Sequence, residues 1–231
     1  MTSAARTSIG LIGREGELKA VEDVLVSGSA ALALISGEPG IGKSALLQTV
    51  ARWASEGGWT VLSPAGGEPS LVSYGTTADM FSKRVGELLQ RVPGTAAPSG
   101  TAKDIRLQPI VERLCSVAPS LLVIDDFRAD RRFTGWFERS FLKELKAESA
   151  RTVVLLGGMA TDLRNLTRTA DLKVDLQPLQ AQAVRAHFEA VGSRLDPPVD
   201  GREIGVYVSE SRGVPRILGG LTRVLELAAV E

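Results

Sequence analysis

"LALISGEPGIGKSALL", Leu32 to Leu47, decides how the chain is read. Three glycines, a proline, a lysine and a serine stand between two apolar runs, more than a surface turn requires. The run before them, "AALALIS", has the length of a strand buried on both faces and ends at glycine. The run after them, "KSALLQTVARWA", has helical spacing. Between the two, "GEPGIGKS" satisfies G-x-x-x-x-G-K-[ST] at every fixed position, in the strand-to-helix context that the motif needs. The glycines let the backbone curl so that successive N–H groups converge, and the first helical turn adds unpaired donors and a positive dipole end. Gly37, Glu38, Pro39, Gly40, Ile41, Gly42, Lys43, Ser44 and Ala45 are therefore the expected phosphate cradle. Lys43 would reach the β- and γ-phosphates, and Ser44 would offer a hydroxyl to Mg²⁺.

A magnesium ion also needs an acid at the end of a neighbouring strand. "LLVIDD", Leu121 to Asp126, supplies four aliphatics and then two carboxylates, at the edge where open parallel sheets bind ligands. Asp125 is the expected metal residue, acting through water, and Asp126 the general base that polarises the attacking water.

Outward from these motifs, helix and strand signals alternate. "GREGELKAVEDVL" reads as a helix and "WTVLSPA" as a second strand; "YGTTADMFSKRVGELLQRV" and "DIRLQPIVERLCSVA" are helical. "SLLVIDD", "RTVVLLGG" and "DLKVDLQPL" are strands three to five, with the helix "FTGWFERSFLKELKAE" between the first two of these. Pro93 to Lys103 is a low-complexity surface loop. "AQAVRAHFEAVG", "GREIGVYVSES" and "VPRILGGLTRVLELAAV" are helices only. Strands separated by helices imply an α/β fold with a five-stranded parallel sheet. The expected organisation is a flexible tail over 1–8, an αβα domain over 9–177 and a helical lid over 178–231.

With both motifs placed, the chain resembles the ATPase module of the AAA+/STAND branch of P-loop proteins, especially the N-terminal ATPase domain of large LuxR-type regulators. "LIGREGELKAVEDVL" is similar to that family's F-[VI]-G-R-E-x-E-L opening, whose Gly-Arg turn packs near adenine; Gly13, Arg14 and Glu15 occupy it here. "VDLQPLQAQAVRAHF" is similar to the hinge into the lid. In "GVPRIL", Gly213 and Pro215 resemble the G-x-P that lies on the adenine side. Gly213 and Arg216 resemble G-x-x-R, whose arginine reaches the γ-phosphate and assists catalysis; a solvated helix charge is the other reading of Arg216. The resemblance implies strand order 5-1-4-3-2, bound ATP or ADP with Mg²⁺, and slow hydrolysis. The chain departs from the family at the end of the fourth strand, where Gly157 and Gly158 replace a polar sensor, Thr161 being the nearest polar candidate. "DDFRAD" shortens the usual aromatic-Ala-Asp, and Arg164 and Arg168 stand where an arginine finger would lie.

Composition narrows the function classes. The 27 basic and 27 acidic residues cancel, so no global field draws the chain to nucleic acid or an anionic membrane. One cysteine, Cys115, and one histidine, His187, exclude a disulfide and a transition-metal site built from those ligands. No signal sequence or membrane-length apolar run is present, which points to the cytoplasm. Three functions fit. The first is a nucleotide switch, hydrolysing slowly and read by a protein partner or by self-assembly. The second is a DNA-associated initiator or loader, for which Arg128, Arg131, Arg132, Arg139, Lys143 and Lys146 form a candidate phosphate-tracking face. Glu138, Glu144 and Glu148 on the same stretch favour a solvated surface instead. The third is a scaffold holding nucleotide permanently. No helix-turn-helix follows the lid, so the expectation is a free-standing module or one piece of a longer protein.

Overall fold

The computed structural model describes residues 11–27, 29–65, 68–93, 107–148, 151–193 and 199–228. The tail over 1–8 and almost all of the low-complexity loop after Pro93 fall outside them. Five strands, β1 (Ala31–Gly37), β2 (Thr60–Leu62), β3 (Ser120–Ile124), β4 (Thr152–Gly158) and β5 (Leu172–Leu176), form one sheet in the order β2-β3-β4-β1-β5. Every neighbouring pair is parallel. This is the expected 5-1-4-3-2 order read from the other edge. As that order requires, β4 lies between β1 and the acid-bearing β3.

Strand alternation sorts the side chains into two layers. Leu32 and Leu34 of β1, with Leu122, Ile124, Val154 and Leu156, join a core beneath α3 (Ala78–Gln90) and α4 (Leu107–Ser116). That layer is completed by a helical rod of α5 (Arg131–Trp136), a π-helical turn (Phe137–Leu142) and α6 (Lys143–Ala147). Ala33 and Ile35, with Leu121, Val123, Val153 and Leu155, face α1 (Glu15–Ser27) and α2 (Lys43–Glu56). Phe81 anchors the first layer, its ring meeting those of Phe133, Trp136, Phe137 and Phe141 edge-on at 5.1–5.9 Å between centroids.

Where elements begin follows capping chemistry. Thr77 caps α3 by accepting from the Met80 amide at 3.3 Å, so the helix starts there and not at Tyr74. β2 is shorter than "WTVLSPA" suggested, since only Thr60, Val61 and Leu62 find partners on β3. The π turn, the short helix α7 (Ala160–Leu163) and the 3-10 turn over Arg164–Leu166 were not foreseen; none is long enough to set a periodicity of its own.

After β5 the chain is helical: α8 (Ala181–Gly192), α9 (Gly201–Ser211) and α10 (Pro215–Ala228). They share a small core of Val184, Phe188, Ile204, Leu218 and Leu225, separate from the two cores on the sheet. Asp200 caps α9 by accepting from the Arg202 and Glu203 amides at 2.7 and 2.8 Å. Two left-handed residues, Arg212 and Gly213, turn α9 into α10, and Pro215 takes the first helical position, where its missing N–H costs nothing. Gly213 also touches the segment leaving the sheet: the Leu179 amide donates to its carbonyl at 2.7 Å, and a Cβ there would stand 2.3 Å from the Leu179 carbonyl oxygen. Gly213→Ala should therefore loosen α9 and α10 from the hinge. Limited proteolysis is expected to cut the variant after β5 faster than the parent; equal protection would mean that this contact does not hold the helices.

Candidate functional site

The loop from β1 into α2 curls through three glycines with left-handed or otherwise positive φ: Gly37 at 151°, Gly40 at 82° and Gly42 at 102°. No other residue type is at ease there. Gly42 precedes α2 with no side-chain cap, and the first cross-turn bond of the helix runs from the Leu46 amide to the Gly42 carbonyl at 3.0 Å. The amides of Gly40, Gly42, Lys43, Ser44 and Ala45 have no acceptor among the described residues, while Ser44 and Ala45 face solvent. A helix start with this many free donors and a positive dipole end fits an anion, which is the donor set a phosphate chain needs. Lys43 bends back across the loop, its ammonium donating to the carbonyls of Gly37 at 2.8 Å and Glu38 at 2.9 Å. Glu38 and Pro39 form the exposed tip, and Ile41 is buried in the core beneath.

Two elements grip this loop from outside. Arg14 at the start of α1 is 4% exposed, and its guanidinium donates to Glu17 at 2.8 Å, to the Ile41 carbonyl at 3.2 Å and to the Gln177 carbonyl at 2.6 Å. The side chain expected near a base is thus committed to protein acceptors, tying the loop to the hinge after β5. From the other side, the Arg216 amide donates to the Gly40 carbonyl at 3.2 Å. The Arg216 stem covers Gly40, and the Pro215 ring covers Gly42: Cβ atoms at these glycines would lie 3.1 Å from Arg216 Cβ and 3.5 Å from Pro215 Cγ. The exposed Arg216 guanidinium has no ion-pair partner among the described residues.

The acids arrive across β4. Asp125 is half-buried, and its Oδ1 would be 3.0 Å from a Cβ at Gly157, where Leu47 Cδ1 of α2 would be only 2.5 Å away. A side chain at 157 would have to displace the ends of Leu47 and Asp125, which occupy that space. Asp126 adopts φ of 52°, an αL conformation that Asp tolerates better than most residues; its amide donates to Asp125 Oδ1 at 2.8 Å. Its exposed carboxylate pairs with Arg128 at 3.0 Å. Non-glycine residues held at positive φ cluster in functional loops. Two further residues had no motif to announce them. Ser70 donates its hydroxyl to the Asp125 carbonyl, and Arg84 holds the Ser70 and Leu71 carbonyls at 2.9 and 3.2 Å. They clamp the β2–α3 connection onto the acid strand, a long-range contact that local spacing does not encode.

The remaining candidates lie apart. Thr161 is exposed on α7, where its neighbour Asp162 accepts from Tyr74 at 3.2 Å; this bond and the carboxylate's charge push the Tyr74 phenol above its ordinary pKa. Arg164 and Arg168 are exposed on the surface before β5. Cys115 is half-buried, with its thiol pKa raised by desolvation, the reverse of an activated nucleophile. The His187 Nε2 lies 2.9 Å from the Thr222 hydroxyl, within the C-terminal helices. No cluster of three His, Cys, Asp or Glu residues that could hold a metal occurs among the described residues. A magnesium here would take one hydroxyl, one carboxylate and phosphate oxygens, which suits an ion that keeps much of its water. No described helix is long and apolar enough to cross a membrane.

Comparisons with known proteins bear on the family and the fold. A family model described as "AAA ATPase domain" matches residues 10–199. Among solved structures, the ADP form of Aeropyrum pernix ORC2 is similar with a TM-score of 0.62 and 16% identity, covering 96% of this chain and 65% of that one. Cdc6p from Pyrobaculum aerophilum gives 0.62 and 17%, covering 94% and 62%. The Thermotoga maritima RuvB Holliday junction branch migration motor gives 0.54 and 18%, covering 92% and 61%. The chain thus spans slightly less than two thirds of the length of these structures, and at such identities the likeness is one of fold. No curated protein matches by sequence.

Removal of the buried clamp gives a test. Arg14→Ala would leave the Gln177 carbonyl without its 2.6 Å donor and release the Ile41 carbonyl, costing about 2–4 kcal/mol in urea unfolding. Arg14→Lys should recover only part, since one ammonium cannot span the acceptors of a fork. An Ala variant as stable as the parent would show that the clamp is idle.

Proposed function

We propose that this chain, which belongs to the AAA ATPase domain family, binds Mg-ATP between the strand ends and the C-terminal helices and couples the γ-phosphate to the position of those helices. One observation carries the reading. The loop whose amides lack acceptors is the same loop that Pro215 and Arg216 cover, so a phosphate in the cradle and the start of α10 occupy adjoining space.

Mg-ATP, when bound, supplies the anionic chain, the divalent charge and the leaving group. The acceptor-free amides of Gly40, Gly42, Lys43, Ser44 and Ala45 would donate to phosphate oxygens. Lys43 would exchange its loop carbonyls for them, keeping a charged donor in a partly dry site. The Ser44 hydroxyl and the Asp125 carboxylate would hold the metal, and Asp126 would accept a proton from water. Arg128 stands as counter-charge to Asp126, so turnover requires that pair to open, which accords with slow hydrolysis. Arg216 would add positive charge from the C-terminal side, making α8–α10 a lid over the αβα domain.

Two settings compete for this ATPase. A DNA-associated initiator or loader is the better supported one, because the solved structures of like fold include ORC2, Cdc6p and a Holliday junction motor. A LuxR-type or STAND regulatory switch rests on the opening, hinge and G-x-P motifs. The missing polar side chain at Gly157 also keeps a non-hydrolysing scaffold in view.

Nucleotide should raise the melting temperature by mass action, worth about 2.7 kcal/mol at a hundredfold excess over Kd. Lys43→Ala is expected to abolish that shift; an unchanged shift would remove the assigned cradle. Asp126→Asn should retain ATP and lose phosphate release in a single-turnover assay. Undiminished release would place the base elsewhere, whereas a parent that never turns over would favour the scaffold.

A further inference from the structure

We infer that the outer face of the α5–π–α6 rod is a docking ridge for the phosphate backbone of duplex DNA, an inference that rests on the DNA-associated reading above. The backbone is helical throughout Arg131–Ala147, with Phe133, Phe137, Phe141, Leu142 and Leu145 buried on the inner side. Arg131, Arg132, Arg139 and Lys143 are exposed on the outer side.

Each acid nearby either has another partner or forms no ion pair with this row among the described residues. Asp130 caps α5 by accepting from the Phe133 amide at 2.8 Å. Glu138 accepts from the Thr169 hydroxyl. Asp126 is taken by Arg128, and Asp171 by Lys146 at 2.8 Å. Glu144 is half-buried, and Glu148 lies beyond the end of the rod. None of the four basic side chains has an ion-pair partner among the described residues. The acids of this stretch keep their charge, but Glu138, Glu144 and Glu148 form no ion pair with the exposed row among the described residues.

The shape also fits a linear polyanion. Arg131, Gly135, Arg139 and Lys143 recur at every fourth position. In an α-helix such a row drifts by about 40° per step, but the wider i→i+5 turn drifts the other way. The π turn over Phe137–Leu142 thus straightens the row. A glycine inside a helix costs about 0.5–1 kcal/mol relative to alanine, yet Gly135 has a use. A Cβ there would stand 2.9 Å from Arg139 Nη2, so its absence lets the guanidinium lie along the rod toward Arg131. The ridge bears no exposed aromatic ring, Trp136 being half-buried, so it offers charge for phosphates and no platform for splayed bases. That favours duplex over single strand and predicts sequence-independent contact.

The test is fluorescence anisotropy of the full chain with labelled duplex DNA of arbitrary sequence, with and without ATP. Three to four phosphate contacts should make affinity fall on the order of 10²-fold between about 50 and 200 mM salt. Arg131→Glu/Arg139→Glu/Lys143→Glu should abolish binding while leaving the nucleotide-dependent thermal shift intact. Arg131→Lys/Arg139→Lys/Lys143→Arg should keep it, as should Arg52→Glu/Arg202→Glu, which reverses exposed charges on α2 and α9. If the parent binds and the triple reversal binds equally well, the ridge is overturned and the DNA-associated reading stands. If the parent shows its thermal shift but binds no duplex at low salt, both fall. Binding to phosphatidylserine vesicles and not to DNA would likewise overturn the proposal.

Discussion

A backbone that leaves five amide donors around Gly40–Ala45 without acceptors is an unfinished structure, and the surrounding elements are arranged about that deficit. Unmatched donors in a protein interior would be costly; here they face solvent at the carboxyl edge of the sheet, where an anion can complete them. Arg14 and the start of α10 hold the loop through its carbonyls, at Ile41 and Gly40, and leave the N–H side open. The loop is therefore kept curled by contacts that do not compete with a ligand.

The same logic reaches the acids. β4 separates the loop strand from the acid strand, and the Leu47 and Asp125 side chains meet over the glycine at 157. The space beside Gly157, where a polar side chain was expected, is taken here by the ends of Leu47 and Asp125. The Asp126–Arg128 pair then balances the second acid where it meets solvent, at the strained φ of 52°. Charge placement and steric room are thus decided together at one edge of the sheet.

Parts of this were legible before any coordinates. The cradle from Gly37 to Ser44, the carboxylates ending β3 and the helical run after Pro178 each announce themselves by local spacing, because their chemistry depends on neighbours in the chain. Arg14 was legible as a motif residue but not as a buried clamp, since its acceptors at Ile41 and Gln177 are remote in sequence. Ser70 and Arg84 carried no signal at all. The basic run after Arg128 was visible, but not that Thr169 donates to Glu138 or that Arg131, Arg132, Arg139 and Lys143 make no ion pair among the described residues.

By itself, the sequence determined the phosphate-loop motif, the alternation that makes a parallel sheet, and the absence of a disulfide or a His/Cys metal site, all matters of local pattern and composition. Tertiary structure alone decided that Arg14 is buried as a clamp, that Pro215 and Arg216 lie on the loop's glycines, and which charges remain unpaired. Those depend on where segments far apart in the chain meet, and both steric exclusion and ion pairing act through distance in space, which the order of residues does not express.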